Sequence, residues 1–213
     1  MKRHEKGKPG EGMKLIFGTY NPSKLGYIRK CLEGLDIEIE SLKTMGLELE
    51  EAPENEKEPL LNARDKALTY YKQVGKPIFS FDSGLYFENV AEEDQPGTFI
   101  KRIHGQDLSG RDMQVFYSQL AAKYGGKLVA YYRNAVCLVM DEDTIYEYDG
   151  VELESDKFYM VDTPHADFEE GFPLNSISKE IESGDYYYDV KRQKYKELED
   201  NGFRKFFRRT FDL

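Results

Sequence analysis

One stretch of the chain sets a lone carboxylate among small polar residues where it could do chemistry. In Ser80-Phe81-Asp82-Ser83-Gly84-Leu85 a single carboxylate stands among hydroxyls, beside a glycine, straight after the apolar run Pro77 to Phe79. A carboxylate in that setting can hold a metal, activate a water or cap a turn. Leu85-Tyr86-Phe87 then resumes an alternating pattern. The local reading is strand, tight turn, strand, with Asp82 at the turn and Gly84 free to take positive φ. Three further stretches carry candidate anion-binding groups. Thr19-Tyr20-Asn21-Pro22-Ser23-Lys24 sits where a first strand passes into a first helix. A helix N-terminus at a strand end offers free N–H groups and positive dipole to a phosphate. Thr19 and Asn21 add short polar side chains and Lys24 a charge; a plain turn with a solvated lysine is the alternative. In Asn62-Ala63-Arg64-Asp65-Lys66-Ala67, Lys66 could reach an anion near the strand ends or lie on a solvated face. Pro96-Gly97-Thr98-Phe99-Ile100-Lys101-Arg102 is a turn followed by two cations.

The elements that must position these groups can be read from periodicity. Lys14 to Thr19 is a short apolar run, a strand buried on both faces. Leu25, Ile28, Cys31 and Leu32 follow at helical spacing, with Ser23 as the expected cap and Gly34 beyond the end. Ile37 to Glu40 alternates like a half-exposed strand, and acidic Thr44 to Lys57 reads as a mobile loop. A second helix opens at Glu58-Pro59 and closes at Gly75. A third spans about Arg111 to Tyr124, ended by Gly125-Gly126. Val129 to Met140 and Ile145 to Val151, joined at Asp141-Glu142-Asp143, predict a hairpin. Phe158 to Met160 predicts another strand, Asp162 to Ser178 a loop, and Lys191 to Phe211 a final helix. Strands and helices interleaved in this way imply an α/β domain with a central mixed sheet flanked by helices.

Composition narrows the function classes. The chain has 213 residues, which suits one domain, here residues 13–213 after a polar leader at 1–12 read as disordered. A net charge of −10 argues against broad nucleic-acid binding while leaving room for a local basic pocket. No apolar run has the length of a membrane span and no secretory signal opens the chain, so a cytoplasmic location is expected. The two cysteines, Cys31 and Cys137, read as buried thiols.

Taken in order, the four stretches resemble the inosine triphosphate pyrophosphatase family, hydrolases of deaminated purine nucleotides. Thr19, Asn21 and Lys24 match the loop after the first strand. Asn62, Ala63, Lys66 and Ala67 match the second helix. Asp82-Ser83-Gly84-Leu85 matches the acidic stretch, and Pro96, Gly97, Phe99, Lys101 and Arg102 match the segment after it. The resemblance covers about Lys14 to Val151. It implies two lobes around a nucleotide cleft and Mg²⁺-dependent hydrolysis of an ITP-, XTP- or dITP-type triphosphate to monophosphate and pyrophosphate. It also implies a homodimer, while the net charge of −10 argues against nucleic-acid and membrane partners. Asp82 is the implied catalytic and metal-binding acid, while Thr19, Asn21, Lys24, Lys66, Ser83, Gly84, Lys101 and Arg102 are implied substrate contacts. The chain departs from the pattern at Leu61 and Phe81, where the family carries two further acids. Glu58 and Asp65 share the helix face of Leu61, and Glu58 is the candidate second metal ligand. The base-reading loop is reduced to Gly171-Phe172-Pro173-Leu174-Asn175-Ser176. Phe172 is the expected stacking ring and Asn175 the base-reading amide. Arg204 is the candidate for an arginine the family carries near its C-terminus. A nucleotide-binding relative with lost or altered hydrolysis is the alternative.

Overall fold

The computed structural model describes residues 12–103, 105–190 and 201–213. The predicted leader, and the first part of the predicted final helix, lie outside these residues. Among the described residues seven strands form one mixed sheet, in the order β2-β1-β3-β6-β8-β9, with β7 also paired to β6. Here β1 is Met13–Phe17, β2 Ile37–Ser41, β3 Ile78–Phe87, β6 Lys127–Asp141, β7 Thr144–Tyr148, β8 Phe158–Val161 and β9 Ser178–Glu180. A separate two-stranded ribbon pairs β4, Arg102–Ile103, with β5, Gln106–Asp107. The helices are α1 (Pro22–Cys31), α2 (Pro59–Val74), α3 (Gly110–Lys123) and α4 (Gly202–Phe211). No helix among the described residues is long and apolar enough to cross a membrane.

The two longest strands organise the molecule. β3 and β6 run antiparallel from Ile78↔Val139 to Phe87↔Ala130 and pass through both lobes. In the first lobe their odd-numbered β3 residues, Phe79 and Phe81, join Leu15, Phe17, Leu25 and Ile28 under α1 and the Phe203, Phe206 and Phe207 stripe of α4. On the opposite face Ile16, Ile78, Cys137 and Val139 pack against Ala63, Ala67 and Tyr70 of α2. Period-two alternation puts consecutive strand residues on opposite faces, which is why both faces of this half read as apolar. In the second lobe Leu85, Phe87, Leu128, Phe158 and Met160 bury against Met113, Tyr117 and Leu120 of α3.

Most predicted elements are present, including the second helix closing at Gly75 in the left-handed region and the β6–β7 hairpin. Two local readings are corrected. No turn interrupts the Asp82 stretch: β3 is continuous for ten residues, because pairing with β6 extends through Asp82↔Ala135 and Gly84↔Arg133. Gly84 accordingly has no positive φ. A glycine suits it for a different reason, since a Cβ there would lie 2.7 Å from the Tyr86 ring. Nor does Ser23 cap α1; Asn21 does, its Oδ1 accepting from the backbone N–H groups of Ser23 at 2.9 Å and Lys24 at 3.4 Å.

Candidate active site

The sheet opens on one edge of β3. β1 pairs with it at Ile78 and Phe79 and then leaves, Gly18 making a last N–H bond to the Phe79 carbonyl. Gly97 joins that edge further on, exchanging two backbone hydrogen bonds with Leu85. Ser80 to Gly84 lie between these two attachments, and Asp82 stands in the middle. The opening falls just past the carboxyl end of β1, where α1 begins, which is where ligands enter open α/β sheets.

Asp82 is 7% exposed. Being even-numbered, it projects on the α2 side of β3, where Asn62 and Lys66 sit one helical turn apart on the buried stripe of α2. Lys66 Nζ donates to Asp82 Oδ1 at 2.7 Å, and Asn62 Nδ2 donates to Asp82 Oδ2 at 3.1 Å. The second anion on Lys66 is Glu54, whose Oε1 lies 2.7 Å from the same Nζ. Burial works against the Lys66 charge, but Asp82 and Glu54 together outweigh it and raise its pKa above the usual lysine value.

Lys24 approaches from the other side. Its Nζ lies 4.9 Å from the centroid of the Phe81 ring, and among the described residues it makes no hydrogen bond or ion pair. Burial, reinforced by the nearby Lys66 charge, lowers its pKa, while Asp82 and Glu54 pull weakly the other way. The α1 N-terminus, by contrast, has no spare N–H groups to give a phosphate. Pro22 has none, those of Ser23 and Lys24 go to Asn21 Oδ1, and that of Leu25 goes to the Asn21 carbonyl. What α1 offers an anion is the Lys24 side chain.

Asn21 also joins the two halves of the site. Its Nδ2 donates to the Gly171 carbonyl at 3.2 Å, and its backbone N–H to Thr19 Oγ1 at 3.1 Å. Gly171 packs so closely on α1 that a Cβ would fall 2.1 Å from Ser23 Oγ. This contact sets Phe172, half-buried, beside the Thr19–Lys24 loop, and Asn175 follows in a short 3₁₀ turn over Pro173–Ile177. The same segment is braced from α3: Glu170 accepts from the Gly110 N–H at 3.1 Å, Arg111 stacks on Phe168, and Gln114 bonds Ser176 at 2.6 Å.

The remaining candidates divide. Ser83 Oγ donates at 2.6 Å to Oδ1 of Asn134, its cross-strand partner on β6. Arg102 reaches Asp107 and Asn55, so it holds the acidic loop, and Lys101 is exposed. Glu58 is exposed at the N-cap position of α2 and makes no capping bond. Arg204 is not brought to the cluster. Its Nη1 donates to the carbonyls of Cys31 and Glu33 at the carboxyl end of α1, about 15 Å along that helix from the Asn21 end. Two further side chains touch this cluster, Asn62 on Asp82 and Glu54 on Lys66. Asn62 could have been found from its i, i+4 spacing to Lys66. Glu54 had no sequence signal, being one of several glutamates in an acidic loop.

The donor set can be tested against the implied metal. Among the described residues no group of three or more His, Cys, Asp or Glu side chains gathers. Mg²⁺ is commonly held by one or two carboxylates with phosphate oxygens completing the shell. Asp82 would offer such a shell one buried carboxylate, whose two oxygens accept from Lys66 and Asn62 in this structure. The positions of the two absent acids do not compensate: Leu61 is 42% exposed and Phe81 is packed between Phe17 and Phe203.

The family model of the Ham1 family matches residues 15–152. A dITP/XTP pyrophosphatase of Porphyromonas gingivalis is 41% identical over 93 residues, which is 44% of this chain and 46% of that protein. The chain therefore matches under half the length of that relative. A dITP/XTP pyrophosphatase of Thermoanaerobacter sp. is 27% identical over 139 residues, 63% of this chain and 68% of that one. Among solved structures, a HAM1 protein from Coxiella burnetii superposes with a TM-score of 0.65 at 18% identity, covering 91% of this chain and 93% of its own. These structures share the fold.

Proposed function

Because the chain belongs to the Ham1 family, we propose that it hydrolyses a purine nucleoside triphosphate of the ITP, XTP or dITP type to monophosphate and pyrophosphate. The observation that carries this reading is the buried Asp82 beside two lysines from different helices, in an opening of the sheet edge. Lys24 and Lys66 hold the phosphate chain, and Asp82 orients the water that attacks phosphorus. Such chemistry depends on positioning and charge stabilisation rather than on covalent work by the protein. Mg²⁺, bound by Asp82 and the phosphates together, would neutralise charge on the phosphate oxygens. Phe172 stacks on the base and Asn175 reads its edge with an amide that both donates and accepts. The names of the relatives support the substrate class.

The direct test is Asp82→Asn, which keeps shape and a partner for Lys66. Turnover falls by about a hundredfold or more, the scale of losing a positioned acid–base group, with unchanged circular dichroism. Wild-type turnover would refute the role. A second reading, nucleotide binding without hydrolysis, is favoured by one specific observation: Phe81 belongs to the apolar core and supplies no acid.

A further inference from the structure

We propose that Glu54 is a built-in competitor of the triphosphate, a carboxylate that occupies Lys66 in the free protein and is displaced when a phosphate group arrives. This inference rests on the reading of Lys66 as a phosphate-binding residue.

Lys66 Nζ is shared by two carboxylates at the same distance, 2.7 Å from Asp82 Oδ1 and 2.7 Å from Glu54 Oε1. The two are not equivalent. The Asp82 side chain is 10% exposed and also receives Asn62, whereas the Glu54 side chain is 55% exposed and has no second hydrogen bond among the described residues. Water can replace the carboxylate of Glu54 at little cost, while freeing Asp82 would strand a buried charge. Of the two anions, Glu54 is the exchangeable one.

Its backbone is nevertheless fixed beside the site. Asn62 bonds both the N–H and the carbonyl of Glu56, each at 3.0 Å. Thr98 Oγ1 donates to the same carbonyl at 2.7 Å, and Arg102 donates to the Asn55 side chain at 3.0 Å. The chain is pinned at the two residues after Glu54, so the side chain can swing off Lys66 yet remains at high local concentration.

The charges call for this exchange. With nothing bound, Lys24 and Lys66 face Asp82 and Glu54, two positive against two negative. A triphosphate adds several negative charges to a balanced cluster. Its terminal oxygens and the Glu54 carboxylate want the same ammonium, and like charges at that range repel. The outcome is a threshold: a ligand with one weakly held anionic group fails to displace Glu54, while a polyphosphate that also engages Lys24 succeeds.

The test is calorimetric titration with inorganic tripolyphosphate in metal-free buffer, comparing the wild type with Glu54→Gln. The exposed loop position makes misfolding of this variant a minor concern, and wild-type circular dichroism verifies it. The expected result is at least about fivefold tighter binding by Glu54→Gln, the scale of removing one charge-assisted competitor. Equal affinities in the two proteins would overturn the competitor role alone. Weaker binding by the variant would also overturn it, and a loss seen only with added Mg²⁺ would make Glu54 a cation ligand. If neither protein binds tripolyphosphate, the phosphate site itself fails and the inference falls with it.

Discussion

The Lys24 ammonium stands 4.9 Å from the centroid of the Phe81 ring, on the residue directly before Asp82 in β3. Strand alternation sends these two neighbours to opposite faces: Asp82 to Lys66 and Asn62 on α2, Phe81 to Phe17 and Phe203 beneath α1 and α4. The cation from α1 therefore rests on an aromatic face and keeps its charge uncommitted to any carboxylate among the described residues. A cation–π contact of this kind contributes about 0.5–2 kcal/mol, enough to orient the lysine without neutralising it.

Phe81→Asp, which would restore a second acid, is expected to destabilise the protein by about 3 kcal/mol or more. It removes an aromatic side chain from a packed cluster and puts a carboxylate there, and one nearby ammonium cannot offset both costs. Chemical denaturation measures it. A stable Phe81→Asp protein with raised turnover would show that the position belongs to the reaction centre and not to the core.

The pH dependence of ligand binding follows from Lys24. Burial holds its pKa below the ordinary 10.5 in the free protein, and a bound phosphate would restore it. As pH rises through the lowered value, free protein loses the Lys24 proton first, so triphosphate binding takes up a proton and weakens. Stability runs the opposite way: between the lowered folded value and 10.5 the unfolded chain binds more protons, so the penalty for burying this group fades as pH rises. Calorimetry in buffers of different ionisation enthalpy reads the proton uptake. It should vanish in Lys24→Met, and its persistence there would assign it to another group.

Asn21→Ala is expected to cost about 1 kcal/mol through the lost helix cap, a fall of roughly 2–4 °C in Tm for a domain of this size. The same change frees the Gly171 carbonyl, so nucleoside affinity should drop along with stability. Retained nucleoside binding in the destabilised variant would separate the cap from the base-reading loop.

The elements were legible in the sequence because their signals are local. The helical spacing of Leu25, Ile28 and Cys31, the alternation at Ile37 to Glu40, and Gly75 after the second helix all correspond to observed structure. The Asp82 stretch misled because serine, aspartate and glycine are ordinary turn formers; only pairing along the whole of β6 makes them strand residues. The α1 N-terminus misled in the same way, since a cap that consumes its own N–H groups is visible only in three dimensions. Glu54 and Arg204 are tertiary matters altogether. The first reaches Lys66 from a loop without periodicity, and the second reaches the far end of α1 from a helix some 170 positions away (about that span by chain count).

The most direct measurement is product analysis with ITP, XTP, dITP, ATP and GTP, with and without Mg²⁺. The account predicts metal-dependent release of pyrophosphate and a monophosphate from ITP, XTP or dITP, with ATP and GTP much slower. Binding of triphosphates without any pyrophosphate release, in a folded protein, would contradict it and leave a nucleotide-binding relative in its place.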